Sequence, residues 1–392
     1  MRRIAIVYFD AGGGHRSAAQ ALFDAIQLQN CPWSVKLLNL DEILQPVDPA
    51  HRLTGRNGSG WYNWWLRSGW TVGSPLLISG THAWIRLLNP AQIRLLRSCW
   101  RQERPDLVLS VVPHFNRQLF QSLRYEAPGV PFVTLLTDLA DYPPHFWIEP
   151  QDQHFICATE RAVQQARVRG GLKATVWRVS GMVLNPRFYR QRLRDRSAGL
   201  RRLGFDPSRL TAVVLFGGHG SRTMLSVARY AMSSNVQLIF LCGHNARLAG
   251  RLRALHFPFP AHVEGFTYNV SDFMQLGDFF IGKTGPGSTS EALQMSLPVI
   301  VESSPRTLAH ERYNAEWIRE RQLGIVLRDF RELPTALEYL ADPEVLLRMR
   351  KRTQALNNRA VFEVLDILDQ ILRARKPPPV FATGSCQLES SR

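Results

Sequence analysis

Short, uninterrupted apolar runs recur along the whole chain, each followed by a turn and then by a helical spacing of apolar residues. This alternation limits the fold more than any other feature. A strand that is apolar at every position must be covered on both faces, and the covering helices must be the connections themselves, so such runs assemble into parallel sheets. Candidate strands in the first half lie at 3–9, 35–38, 107–112, 132–136, 154–157 and 175–179; the second half repeats the rhythm at 212–216, 237–241, 262–264, 278–281 and 298–301. Two series predict two doubly wound α/β domains, and a length of 392 residues is enough for both.

The predicted organisation is a first domain over 1–185, a linker over 186–207, a second domain over 208–345, a helix over 346–375 packing back on the first domain, and a disordered tail over 376–392. The linker is basic, with Arg187, Arg190, Arg192, Arg194, Arg196, Arg201 and Arg202. Lys and Arg number 48 against 32 Asp and Glu, a net charge of +16, so the expected partner is an anion: nucleic acid, a phosphate-bearing small molecule or an anionic membrane surface. No helix-turn-helix, RRM or zinc-finger pattern supports nucleic acid. The 5 cysteines are scattered without a CxxC pair, which points to a reduced compartment and away from structural zinc. The apolar run from Ile4 is broken by Asp10 and by glycines, so it reads as a strand and not as a signal sequence. Nowhere does the chain offer the roughly 18 apolar residues of a spanning helix, and a cytoplasmic location, free or on a membrane surface, is expected.

In open parallel sheets ligands bind beyond the carboxyl ends of the strands. Three loops there are glycine-rich. The first, Asp10-Ala11-Gly12-Gly13-Gly14-His15-Arg16-Ser17, precedes a helix; it lacks the Gly-Lys-Ser/Thr of a Walker A loop and the third glycine of a dinucleotide fingerprint. The second is Phe216-Gly217-Gly218-His219-Gly220-Ser221, and the third is Lys283-Thr284-Gly285-Pro286-Gly287-Ser288-Thr289-Ser290-Glu291. Glycine admits a phosphate close to the backbone, and a helix N-terminus supplies free N–H donors. Ser288 and Glu291 also have the spacing of a capping box, so Glu291 either caps a helix or binds adjacent hydroxyls such as a ribose diol. Trp61, Trp64, Trp65 and Trp70, four tryptophans within ten residues, suit either a bilayer headgroup layer or a protein core.

The stretch 264–274, then 282–293, Leu297-Pro298 and 310–314, resembles the donor-binding half of glycosyltransferase family 28, and above all the monogalactosyldiacylglycerol synthases and processive diacylglycerol glucosyltransferases. The opening Gly12-Gly13-Gly14-His15-Arg16, Thr137-Asp138 with Trp147, 181–186 and Cys242-Gly243 extend the likeness from about residue 3 to 340. The resemblance implies a GT-B fold, two Rossmann-like domains facing a cleft, transferring a hexose (galactose or glucose) from a UDP-sugar to diacylglycerol at the membrane surface. By position, Gly13, Gly14, Gly218, His219, Lys283 and Thr284 border the donor. The backbone of Gly285, Pro286, Gly287 and Ser288 cradles the diphosphate, Phe266 faces the uracil, Glu291 holds the ribose, and His310 and Glu311 lie beside the sugar. His310 stands where related sequences usually carry Gln.

Chemistry of this class is usually inverting, and an attacking alcohol needs a base across the cleft from the diphosphate. His15 is the first candidate, kept neutral by the helix start; Asp138 is the alternative base or the group that orients the histidine. Lys283, His219 or Arg222 can meet charge on the departing UDP. The chain has no Asp-x-Asp, so neither a metal nor a cofactor is expected. Alternative readings are a soluble enzyme of the same fold with a non-lipid acceptor, or a UDP-sugar epimerase.

Overall fold

A computed structural model of the chain describes residues 1–10, 13–48, 51, 55, 89–190, 195–305 and 307–374. Gly12, the four tryptophans Trp61, Trp64, Trp65 and Trp70, Arg192, Arg194 and the tail over 376–392 lie outside the described residues.

The apolar runs form two six-stranded parallel sheets. The first contains β1 (Arg2–Tyr8), β2 (Trp33–Asn39), β3 (Leu107–Ser110), β4 (Phe132–Leu135), β5 (His154–Cys157) and β6 (Thr175–Arg178), in the order β2-β1-β3-β4-β5-β6. The second contains β7 (Thr211–Leu215), β8 (Gln237–Leu241), β9 (Ala261–Glu264), β10 (Phe279–Lys283), β11 (Val299–Glu302) and β12 (Gly324–Leu327), in the order β12-β11-β10-β7-β8-β9. Every residue of β3, β4, β7 and β8 is buried, as strands covered on both faces require. In each sheet the order reverses beside the first strand, between β1 and β3 and between β7 and β10. Connections leave on opposite faces at such a point, which opens a crevice at the carboxyl ends. All three glycine-rich loops follow strands at these two points.

The twelfth strand, β12, is absent from the pattern read in the sequence. It is four residues long and opens on Gly324, where a Cβ would stand 1.9 Å from the Val299 carbonyl oxygen. A glycine here permits close pairing, and it also shortens the apolar run below recognition.

Two other expectations change. The helix predicted over 346–375 is two helices, Pro343–Gln354 and Ala360–Ala374. Asn357 between them adopts a left-handed φ of 41°, and the Asn358 side-chain oxygen accepts from the Ala360 N–H at 3.0 Å, which stops one helix and starts the next. Val345, Leu346 and Met349 join a core of the second lobe, whereas Val361, Val364, Leu365, Leu368 and Leu372 join a core of the first. The described part of the 186–207 stretch is also folded. The helix Arg196–Arg202 buries Leu200, Phe205 is buried beyond it, and Arg196 pairs with Asp278 at 2.7 Å. Arg196, Arg201 and Arg202 therefore stand on a docked helix of the second lobe. One apolar cluster joins the lobes, bringing Leu139, Ala158, Met182 and Leu184 against Leu276, Phe280, Ala292 and Leu293. Among the described residues no helix is long and apolar enough to cross a membrane.

Leu368 is fully buried between the final helix and the first sheet. Leu368→Ala is expected to cost about 2–5 kcal/mol in chemical denaturation, the range for a large buried truncation. A loss below about 1 kcal/mol would show that this helix is not part of the first lobe's cooperative core.

Candidate active site

On the first lobe the helix Gly14–Leu28 starts directly after β1, with Gly13 at φ 83° as its N-cap. This left-handed turn suits glycine, and it sets His15 at the second helical position. The His15 Nδ1 lies 3.0 Å from the Thr137 hydroxyl, and its ring centroid is 5.8 Å from that of Trp147. Asp138, at the end of β4, is buried and accepts from the Trp147 indole N–H at 2.9 Å. The expected role of Asp138 as the residue orienting His15 is therefore corrected. Thr137 holds the imidazole, and Asp138 holds the indole packed against it.

The loop 138–148 owes its shape to Asp141. This fully buried carboxylate accepts from the Trp147 backbone N–H at 2.7 Å and from the His145 N–H at 3.1 Å, and it pairs with Arg169 at 3.3 Å. Asn116 adds a bond to the Trp147 carbonyl at 3.0 Å. The loop thereby projects Phe146 at the second lobe, where its ring stacks on His310 with centroids 5.3 Å apart and planes 12° apart.

On the second lobe β10 ends in Lys283, whose ammonium donates to Glu311 at 2.6 Å. A Cβ on Gly285 would lie 2.8 Å from Lys283 Cε, so only glycine allows the lysine this path. Gly285 is the N-cap of the helix Pro286–Gln294, and no side chain caps it. Pro286 has no N–H to offer, so the orphan donors of this helix start belong to Gly287 and Ser288. The capping-box alternative for Ser288 and Glu291 is thereby overturned, because Ser288 lies inside the helix and Glu291 one turn further on.

The second glycine loop packs on a neighbour. A Cβ on Gly243 would come within 2.1 Å of the Gly218 carbonyl oxygen, and the His244 N–H donates to that oxygen at 2.9 Å. His244 then stacks on Phe266 at 3.9 Å, with Tyr268 edge-on to Phe266 at 5.0 Å and His219 6.0 Å from His244. Phe266 and Tyr268 remain exposed. This is an aromatic platform beside the glycine loops, and a nucleobase can stack on it.

The electrostatics tie the lobes together. Burial pushes the His15 imidazole down to about 4, the charge of His310 across the cleft adds to this, and the Val111 carbonyl opposes it. His15 is neutral at neutral pH, held so by burial and by the cross-cleft histidine. Burial raises the Asp138 carboxyl, against the pull of His310 and the Trp147 N–H. Burial also works against an ionised Glu311, but Lys283, His310 and Thr284 outweigh it and hold this carboxyl below its ordinary value. Glu291 is pushed up to about 7 by burial, with Arg187 opposing. Its carboxylate takes no hydrogen bond among the described residues. Among the described residues the buried His310 Nδ1 and Asn314 Oδ1 have no hydrogen-bond partner. No group of three or more His, Cys, Asp and Glu gathers as a metal site among the described residues.

The structure thus gathers His15, Thr137, Asp138, Phe146 and Trp147 from one lobe with Lys283, Gly285, His310 and Glu311 from the other. His244, Phe146 and the role of Thr137 escape a linear reading, because each is defined by a partner more than 20 residues away.

Residues 15–183 match the family model for monogalactosyldiacylglycerol (MGDG) synthase. The chain is 25% identical over 399 residues to monogalactosyldiacylglycerol synthase of Spinacia oleracea, covering 95% of this chain and 73% of the relative. It is 25% identical over 416 residues to probable monogalactosyldiacylglycerol synthase 2 of Oryza sativa subsp. japonica, covering 100% of this chain and 84% of the relative. Among solved structures, MurG of Acinetobacter baumannii superposes with a TM-score of 0.61 at 12% identity, over 94% of this chain and 100% of MurG. Arabidopsis thaliana UGT89C1 complexed with UDP gives 0.61 at 14% identity, over 95% and 100%.

Coupling across the cleft is measurable. In His310→Ala the group that lowers His15 from across the cleft is lost, so the His15 midpoint followed by NMR is expected to rise above about 4. An unchanged midpoint would show that the two rings do not sense each other.

Proposed function

We propose that this chain, a GT-B glycosyltransferase similar along its whole length to monogalactosyldiacylglycerol synthases, transfers a hexose from a UDP-sugar to diacylglycerol at an anionic membrane surface, with inversion and without a metal ion. The observation that carries the reading is the meeting of a neutral imidazole, His15, with His310 and the Lys283–Glu311 pair across the crevice between the two sheets.

In this reading the uracil rests on Phe266, Glu291 takes the ribose hydroxyls, and the Gly287 and Ser288 N–H groups face the diphosphate. Glu311, ionised at neutral pH, and the unpartnered His310 Nδ1 are left to hydrogen-bond sugar hydroxyls. The acceptor hydroxyl attacks the anomeric carbon on the side opposite the diphosphate. As the new C–O bond forms, the bond to the diphosphate oxygen breaks, its electron pair leaves with UDP, and the hydroxyl proton passes to His15. In the tautomer this role requires, Nδ1–H donates to the Thr137 hydroxyl and the other ring nitrogen keeps its lone pair for that proton. The helix N-terminus and Lys283 meet the charge that builds on UDP, work that needs no metal. The net charge of +16 favours an anionic surface as the place of reaction.

A donor and acceptor panel tests the substrate classes. UDP-galactose or UDP-glucose with diacylglycerol vesicles is expected to give a glycolipid by mass spectrometry, in EDTA as well as in magnesium. UDP release that ignores the lipid would contradict the assigned acceptor and favour the non-lipid or epimerase alternative. His15→Ala is expected to lower transfer by about 10²–10⁴-fold with calorimetric UDP affinity nearly unchanged, the scale of a lost general base. Near-normal turnover would remove His15 from the mechanism. Glu291→Ala should weaken UDP binding about tenfold or more, as expected when hydrogen bonds to a charged acceptor are lost. Unaltered affinity would contradict its ribose role.

A further inference from the structure

Arg187 lies outside all three glycine loops, in the short turn Pro186–Tyr189 where the chain has just left the first sheet. Its Nε donates to the Asn185 side-chain oxygen at 2.9 Å, and its Nη1 donates to the Tyr268 carbonyl in the loop that carries Phe266. Asn185 in turn donates through Nδ2 to Asp24 at 2.7 Å, on the helix that begins beside His15. The turn packs against the helix Pro286–Gln294, and Arg187 is the charged group that acts on Glu291 of that helix.

We propose that Arg187 is a positioning residue for the donor: from the turn packed on the helix that carries Glu291, its guanidinium fixes the 265–269 loop and sets a positive charge toward the ribose acceptor Glu291. This rests on the reading of the second lobe as the UDP-sugar site.

An ionised carboxylate offers two acceptor oxygens to a diol, whereas a protonated one spends an oxygen as a donor. Burial opposes ionisation of Glu291 and already brings it to about 7; among the described residues Arg187 is the group that resists this. Removing the guanidinium therefore raises the midpoint further, and a larger share of the chains carries the protonated form at neutral pH. Arg187 is half-buried and directly bonded to the donor loop, so the same change also loosens Tyr268 and its neighbour Phe266.

The test is UDP-galactose binding by calorimetry between pH 5.5 and 8.5, for the wild type and for Arg187→Ala, Arg187→Lys and Glu291→Gln. The diphosphate diester of this probe does not titrate in that range. Wild-type affinity is expected to rise through about pH 7. His219 and His244 would act in the opposite sense, since an imidazolium favours an anionic ligand. Arg187→Ala should shift the rise upward; a shift of about one unit makes binding roughly fivefold weaker at pH 7, with recovery toward pH 8.5. Arg187→Lys should restore the wild-type midpoint, and Glu291→Gln should abolish the rise. An Arg187→Ala midpoint that stays at the wild-type value, whatever uniform loss the loosened loop adds, or a rise that survives in Glu291→Gln, would overturn the proposal. A wild type that binds neither UDP-galactose nor UDP-glucose at any pH would overturn the donor reading itself, and this inference with it.

Discussion

The chain passes between its sheets twice, once near residue 185 and again near residue 357, and the two passages are fastened to each other. The Asn358 side chain donates to the Met182 carbonyl at 2.8 Å, in the tightest part of the crossing: a Cβ on Gly181 would stand 2.6 Å from Asn358 Cγ. The Ser180 hydroxyl accepts from the Arg359 N–H at 2.7 Å, and the Ser180 N–H donates to Glu363 at 2.7 Å. Of these bonds the Asn358–Met182 one is buried and costly to break, because each partner would be stranded away from water. Together the bonds fix how the two carboxyl edges face each other, and every cross-cleft contact follows from that.

Given the fastening, chemistry divides between the lobes in a physically sensible way. The first sheet contributes a half-buried imidazole, its hydroxyl partner and an aromatic wall made by Phe146 and Trp147. The second contributes backbone N–H groups, one lysine and two carboxyls whose environments push them apart: Glu311 held low by Lys283 once its burial is overcome, and Glu291 raised by burial. A carboxyl kept charged beside a lysine suits a polar sugar. One poised near neutrality is sensitive to small changes around it, which is where Arg187 acts. Separation of base and leaving-group stabilisers onto opposite walls is what in-line displacement requires.

Much of this was legible in the residues. The continuous apolar runs announced parallel sheets because a strand covered on both faces has no polar alternation to show, and the glycine loops fell at the switch points of those sheets. Of the residues gathered at the cleft, His15, Asp138, Lys283, Gly285, His310 and Glu311 were in view as candidates and Thr137 and Trp147 as part of the family likeness, whereas Phe146 was not. What stayed hidden has a common cause. The partner of His15 is Thr137, 122 positions away, and the wall against His310 is Phe146, more than 160 positions away; no local spacing encodes either pair. Ser288 and Glu291 fitted a capping box, but Pro286 moves the helix start upstream to Gly285. The break at Asn357 and Asn358 was concealed inside an otherwise helical pattern, since asparagine tolerates a left-handed turn without the signal a glycine gives.

The central claim is a division of labour between two walls of one cleft, and a crystal structure of the chain with UDP tests it most directly. The account predicts the diphosphate at the N–H groups of Gly287 and Ser288, the uracil against Phe266, and His15 across the cleft without contact to the nucleotide. Diphosphate seated instead on the Gly13–Gly14 turn, with Glu291 far from the ribose, would contradict it.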